Sequence, residues 1–454
     1  GSSGSRNLGY TMHCGIATDF NTGWQYADIE RCLLSSTDST DITSTDLVTN
    51  SYFTSNVTGW NADNGFTVTH SSGRMVVNSG SNSASYFGSA QSITTVVGRT
   101  YMIAINIHSQ SVNAVVRVSG SSIYFTKTNL GTGYHMFSFV SNQASTLIQV
   151  GSIVGAGNNR EQQFEEIIVR EVDINRSIRG YTNSDATHFL PVGTVPKNPV
   201  AEGAELVAYG PFASGVGLVQ SYNSDLDYGT GDFYYMLWIK VTSHSDLQGI
   251  FSRQGRNQTS GNRLQVQTVA NGDGQIAVYG SYTTNGTLGT GERDKLKLNQ
   301  WHLFGVVRRS GTMYWYNNGV EMTSHSSPTN YNNADAFLRV GGLTYQTNDP
   351  FNTNQYDMGD GSIALFRTGA GAPSPEQIKK MYEDEKKLFA PNAKCTLYGS
   401  SDAVTGLAYD DSDNTIHVGT SSGRSQFQGL NRINNTTTAV TTAISASDGL
   451  VAEQ

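Results

Sequence analysis

Three cysteines in 454 residues are too few for a disulfide framework, and none has the C-x-x-C spacing of a metal site. Cys14 and Cys32 would pair only if the first segment formed a hairpin. Charge is also scarce, at 15% of residues with a net charge of −8. No basic run is longer than Arg308-Arg309 or Lys379-Lys380, so a phosphate-tracking groove could exist only locally, the chain as a whole is a poor nucleic-acid binder, and no nucleic-acid partner is expected. Nothing approaches the apolar run of about 18 residues that a spanning helix needs, so membrane insertion is not expected either. The opening GSSGS lacks the basic, apolar and small regions of a secretory leader. It reads as a linker or cloning scar, which points to a fragment of something longer. H-E-x-x-H and P-loop motifs are missing.

What is present in quantity is glycine, 49 residues of it, with much Ser, Thr and Asn. That composition suits short strands joined by polar turns rather than long charged helices. The 23 Tyr, 18 Phe and 5 Trp supply apolar area for packed cores and argue against disorder. The length allows two or three domains.

Along the chain, residues 1–46 form an N-terminal strand segment and linker. From 47 to 174 short alternating runs recur at roughly 8–12 residue spacing, the β-sandwich range. Residues 175–216 hold Pro191, Pro196, Pro199 and Pro211 and read as a stiff connector. Residues 217–391 form a second sandwich. In it Phe233, Tyr235, Leu237 and Ile239 alternate with Tyr234, Met236, Trp238 and Lys240. Strands predicted around His302–Val307 and Met313–Tyr316 are joined by a turn at Ser310-Gly311, and Asn317-Asn318-Gly319 supplies the next turn. A helix is predicted over 374–389, with Ser374 as N-cap, Pro375 at the first position and Gln377 completing a capping box. Residues 392–454 contain three short runs, Gly406–Tyr409, Thr415–Gly419 and Gly429–Ile433.

These residues carry resemblances. LVTNSYFTSNVTGW, GRTYMIAINI and the closing EEIIVREVD resemble the jelly-roll carbohydrate-binding modules attached to cellulases and xylanases. The DF-x-x-x-x-WIK strand, the QWH-to-NNG hairpin and the G-x-I-A-x-F-R strand before the helix resemble the laminin-G-like, or concanavalin-like, family. LAYD…IHVGTSSG…I is similar to one β-propeller blade, and a single blade cannot bury itself. The order of modules resembles tail proteins of bacteriophages. The expected fold is therefore all-β: two jelly-roll β-sandwich domains, one helix after the second, and propeller-blade-like strands at both chain ends.

The resemblances imply glycan contact through exposed aromatic rings. Trp60, in the G-W position, is better explained as core. The candidates are Tyr86, Phe87 and Tyr124 in the first sandwich and Tyr331, Tyr345 and Tyr356 in loops of the second. Tyr234, Trp238, Tyr279, Tyr282 and Trp315 are further candidates, of which alternation turns about half inward. Asp349, Asp357 and Asp360 offer hard oxygen ligands in one loop, as a structural Ca²⁺ would require. The competing account, turn chemistry without metal, suits the same residues better.

Hydrolases of the concanavalin-like fold need carboxylates at i and i+2 on one strand. No such strand exists here. Glu165-Glu166 and Glu383-Asp384-Glu385 are the nearest clusters, so no catalytic residue is assigned and no enzyme is expected. The leading expectation is a virion tail or fibre protein, or adhesin, at the virion surface or outside the cell. It would recognise cell-surface polysaccharide, contact other virion proteins and form a homo-oligomer. The alternatives are a fragment of a secreted bacterial glycoside hydrolase with accessory glycan-binding modules, and a spacer that binds nothing.

Overall fold

A computed structural model describes residues 16–17, 20–21, 31–33, 39, 41–42, 45–80, 88–152, 159–172, 189–213, 215–220, 222–244, 248–255, 263–268, 275–280, 287–288, 296–334, 336–343, 357–359, 361–399 and 404–440. Among these residues the fold is nearly all β, with antiparallel pairing throughout and one α-helix.

The first sandwich packs two five-stranded sheets. One runs, in spatial order, Ile123–Leu130, Ala114–Ser119, Ser145–Ser152, Ser89–Thr94 and Asn61–Ala62. The other runs Gly133–Val140, Thr100–Gln110, Glu161–Glu171, Arg74–Asn78 and Thr67–Ser71. Alternation turns Ile103, Ile105 and Ile107 into the core with Phe53, Trp60, Phe139 and Phe164. Trp60 donates its indole N–H to the Thr49 carbonyl at 3.0 Å and meets Phe53 edge-on, which makes it a core residue. The opposite side of the Thr100–Gln110 strand is also buried. Met102, Ala104, Met136 and Ile168 pack on Leu190, Val192, Val219 and Phe337 of the second sandwich, so one sheet of each sandwich faces the other.

In the second sandwich, seven strands run Leu190–Val192, Gly217–Gln220, Ala336–Val340, Gly249–Gly255, Leu264–Thr268, Ile276–Tyr279 and Thr287–Leu288. The eight-stranded partner sheet runs Lys197–Pro199, Val207–Tyr209, Ser362–Ala370, Phe233–Lys240, His302–Arg309, Thr312–Asn317 and Val320–Ser326. Its eighth strand, Arg31–Leu33, pairs with Ser362–Ala370. Both hairpin turns follow the residue chemistry expected of them. Ser310 and Gly311, then Asn318 and Gly319, all take positive φ, the conformation that lets a two-residue turn match strand twist.

Two expectations are corrected. The proline-rich stretch is not a separate connector, because its described part supplies three strands to the second sandwich. Pro191 and Pro199 fit because Leu190–Val192 and Lys197–Pro199 are the terminal strands of their sheets, where a missing N–H costs little. At the N-terminal end, Arg31–Leu33 is not a propeller-blade-like strand: it extends the second sandwich. It takes the stretch of the Ser362–Ala370 edge beyond the single pairing of Tyr209 with Ile363. A Cys14–Cys32 pairing lies outside the described residues.

The helix Pro375–Glu385 forms with the expected cap: Ser374 Oγ accepts from the Gln377 N–H, and Gln377 returns the bond to the Ser374 N–H at 2.7 Å. It lies on the outer face of the eight-stranded sheet, burying Ile378 and Met381 against Tyr234, Met236, Trp238 and Leu303. Glu385, fully buried, accepts from Arg367 at 2.7 Å and from the Trp238 indole at 2.6 Å.

The C-terminal strands Val404–Asp410, Thr415–Thr420, Gly423–Gln428 and Asn431–Thr436 form a four-stranded meander. The polar third strand carried no hydrophobic period, and sequence reading missed it. The meander is anchored to the second sandwich through buried Leu430 and through Glu205. Glu205 accepts from the Cys395 and Thr396 N–H groups, the Thr396 hydroxyl and Arg432.

Candidate functional site

Strand alternation gives the seven-stranded sheet two chemically different sides. Inward lie Phe251, Leu264, Val266, Ile276 and Val278. Outward, cross-strand register aligns Ser252 with Arg339 and Gln265, Gln265 with Tyr279, and Gln254 with Phe337. Phe337 packs on the first sandwich, so this outward face begins at the junction of the two sandwiches and continues as Ser252, Gln254, Gln265, Gln267 and Tyr279.

Gln254, Gln265 and Gln267 are buried, Gln254 completely. Gln265 donates to Gln267, but the Gln265 carbonyl oxygen and both polar atoms of the Gln254 amide have no hydrogen-bond partner among the described residues. A buried amide left unpaired costs about 1–3 kcal/mol, so such groups call for a partner. A glutamine amide offers two donors and an acceptor and carries no charge. A row of them matches neutral ligands whose hydroxyls both give and take hydrogen bonds. Tyr279, half-buried, ends the row with the Arg263 guanidinium 5.5 Å from its ring centre.

Arg339 closes the other side. It pairs with Asp357 at 3.1 Å, and the second Asp357 oxygen accepts from the Gly215 N–H at 2.7 Å. Asp357 is thus spent on protein donors rather than poised as a cation ligand. Asp349 and Asp360 lie outside the described residues. Among the described residues, no cluster of three or more His, Cys, Asp or Glu is arranged to hold a metal.

Tyr331 is not a surface ring: it is 3% exposed, donates to or accepts from Ser327 at 2.7 Å and meets Phe233 edge-on. Its carbonyl accepts from Arg253, which also pairs with Asp227. Burial raises the Asp227 carboxyl, but the Asn333 N–H, the Tyr222 hydroxyl and Arg253 outweigh it and hold the group below its ordinary value. Its Asn-rich neighbourhood made Tyr331 look like a loop tip, whereas this polar rim pins it inside. Tyr124 is half-buried against Phe139, and its hydroxyl contacts the Asn142 N–H and Thr146. Tyr86, Phe87, Tyr345, Tyr356 and Tyr282 lie outside the described residues. Tyr234, Trp238 and Trp315 are buried. Tyr279 alone of the described aromatic candidates lies on the glutamine face.

The first sandwich has a polar row of its own, but it is internally closed. The Gln149 amide accepts from Arg117 at 2.8 Å and donates to Asp63 at 2.9 Å. Burial lowers the Arg117 pKa despite the nearby Asp63 charge. In the meander, Gly419-Thr420-Ser421-Ser422-Gly423 has the spacing of a nucleophile elbow. It joins two antiparallel strands, however, and lacks the strand-to-helix turn that such a nucleophile requires.

The second sandwich is where family similarity falls. Residues 214–379 match Laminin_G_3, the model of the concanavalin A-like lectin/glucanases superfamily. A search of curated proteins finds no match. Similar solved structures include domain 4 of AbnA, a GH43 extracellular arabinanase from Geobacillus stearothermophilus, in complex with arabinotriose. It is 19% identical, covering 42% of this chain and 82% of that one, with a TM-score of 0.32. Another is the N-terminal CBM22-1-CBM22-2 tandem domain of Paenibacillus barcinonensis Xyn10C, at 10% identity, 74% and 100% coverage and a TM-score of 0.24. A third is a native heptameric SAP-like pentraxin from Limulus polyphemus, at 14% identity, 38% and 77% coverage and a TM-score of 0.30.

Proposed function

We propose that the chain recognises neutral cell-surface carbohydrate through the outward face of its seven-stranded sheet, without cleaving it. The observation that carries this reading is the row of buried glutamine amides with atoms unpaired among the described residues, ending at Tyr279. Uncharged donors and acceptors beside an aromatic ring suit hydroxyl-rich sugars. The match of residues 214–379 to the lectin/glucanase superfamily model supports the same class of ligand. Binding without hydrolysis fits a face whose described carboxylate, Asp357, is held by Arg339, since glycoside cleavage requires a carboxylate pair. The broader role we propose is that of a homo-oligomeric adhesin or fibre component displayed on a virion or outside the cell, with successive sandwiches as its modules.

A glycan array probed with the whole chain tests this reading. Retention of neutral polysaccharides, weakened about tenfold or more in a Gln265→Leu/Gln267→Leu variant, is the expected result. Release of reducing ends from a bound polysaccharide would convert the reading to that of a hydrolase. Binding to none would leave a spacer.

A further inference from the structure

A second polar groove lies outside the family-matched span, between the solvent side of the helix and the first three strands of the C-terminal meander. Its volume is about 530 Å³, within the approximate 300–1,000 Å³ range of small-molecule sites. Its walls come from different elements, held at a fixed distance by buried Leu430 and by the Glu205–Arg432 pair at 3.0 Å.

Tyr409 supplies the apolar surface. It is 55% exposed and shares a face with its cross-strand partner Ile416. Its hydroxyl donates to the Asn414 side-chain oxygen at 2.8 Å, which fixes the ring and leaves the Asn414 amide N–H groups as donors. Gln428 donates to the Asp413 carbonyl at 3.3 Å, leaving its own side-chain oxygen as an acceptor. Asp413 caps the Thr415 N–H through one oxygen. On the helix wall, Lys380 pairs with Asp384 at 2.6 Å, and Lys387 lies one turn further on. The two lysines and two aspartates cancel in formal charge.

We infer that this groove is a second saccharide site, taking a short neutral oligosaccharide with one sugar ring stacked on Tyr409. A neutral groove gives a charged ligand no net attraction, while its carboxylates, amides and ammonium groups meet hydroxyls in both hydrogen-bonding senses. The aromatic platform holds the C–H face of a sugar. The site is independent of the glutamine face and would stand if that face bound nothing.

The test uses saturation-transfer NMR and titration of the whole chain with cellotriose, xylotriose, maltotriose, arabinotriose and a trigalacturonate control. In the Gln265→Leu/Gln267→Leu background, at least one neutral trisaccharide should still bind. Adding Tyr409→Ala should weaken that residual binding about tenfold, whereas Tyr409→Phe, which keeps the ring, should hold it within about threefold. Because Tyr409 is solvent-exposed, unchanged thermal unfolding of the variants is expected and separates loss of binding from loss of fold. Absence of residual binding, residual binding indifferent to Tyr409→Ala, or binding of trigalacturonate alone would each overturn the inference. Failure of the glutamine-face reading would show differently, as wild-type binding untouched by the glutamine substitutions.

Discussion

The two sheets of the second sandwich share one core yet turn opposite chemistries outward. The eight-stranded sheet presents Tyr234, Met236, Trp238, Leu303 and Val307, and the helix Pro375–Glu385 seals them. The seven-stranded sheet presents Ser252, Gln254, Gln265, Gln267 and Tyr279, with glutamine amide atoms left unpaired among the described residues. Aromatic richness therefore marks the structural face, and amide richness marks the candidate binding face. An outward tryptophan that is sealed contributes to stability. An outward glutamine that is buried and unpaired detracts from stability, and a ligand that completes its hydrogen bonds would repay that cost.

Breaking the sealed face should have the largest effect. Glu385→Ala leaves the Arg367 guanidinium buried without its partner and frees the Trp238 indole, so unfolding in denaturant should show a loss of about 3–5 kcal/mol. An unchanged midpoint would mean that the helix seal is not held by this pair. Substitutions on the glutamine face should behave in the opposite way. Gln265→Leu/Gln267→Leu should leave stability within about 1 kcal/mol while weakening glycan affinity about tenfold or more, as read by calorimetry.

Acid should sharpen the contrast between the second sandwich and the attached meander. Burial raises the Glu205 carboxyl, but the Cys395 and Thr396 donors and Arg432 outweigh it and hold the pKa below the ordinary glutamate value. Its contribution is therefore complete above the unfolded-state value and is lost as pH falls through the lower folded one. Hydrogen exchange in Val404–Thr436 should accelerate over that acidic window ahead of Phe233–Lys240, and Glu205→Gln should remove most of the pH dependence. The smallest effect belongs to the helix cap: Ser374→Ala should cost about 1 kcal/mol in thermal unfolding, because the Gln377 N–H loses its acceptor.

Local chemistry made much of the fold legible. The Phe233–Lys240 alternation, the two turns with left-handed residues and the Ser374 cap are each set by a few neighbouring residues. What covers each strand face is set by residues far away in the chain, and there the sequence was opaque. Nothing local tells that Arg31–Leu33 will pair with Ser362–Ala370, or that the outward ring of Trp238 will lie beneath Phe389 at 4.2 Å. The candidate site was partly legible. Leu264-Gln265-Val266-Gln267 alternates plainly and sets both glutamines on one face, but amides on a strand lack the ring that marks a sugar platform in sequence. Tyr331 misled in the reverse direction, since its polar neighbours belong to a rim that pins the ring inside.

The most direct test of the glutamine face is the Gln254→Leu variant, titrated calorimetrically with the best array-selected neutral glycan and compared with the wild-type chain. Gln254 is buried and neither of its amide atoms has a partner among the described residues, so clearly weaker binding at equal or higher thermal stability is expected. Unchanged affinity together with a fall in stability would contradict it and make the glutamine row part of the scaffold.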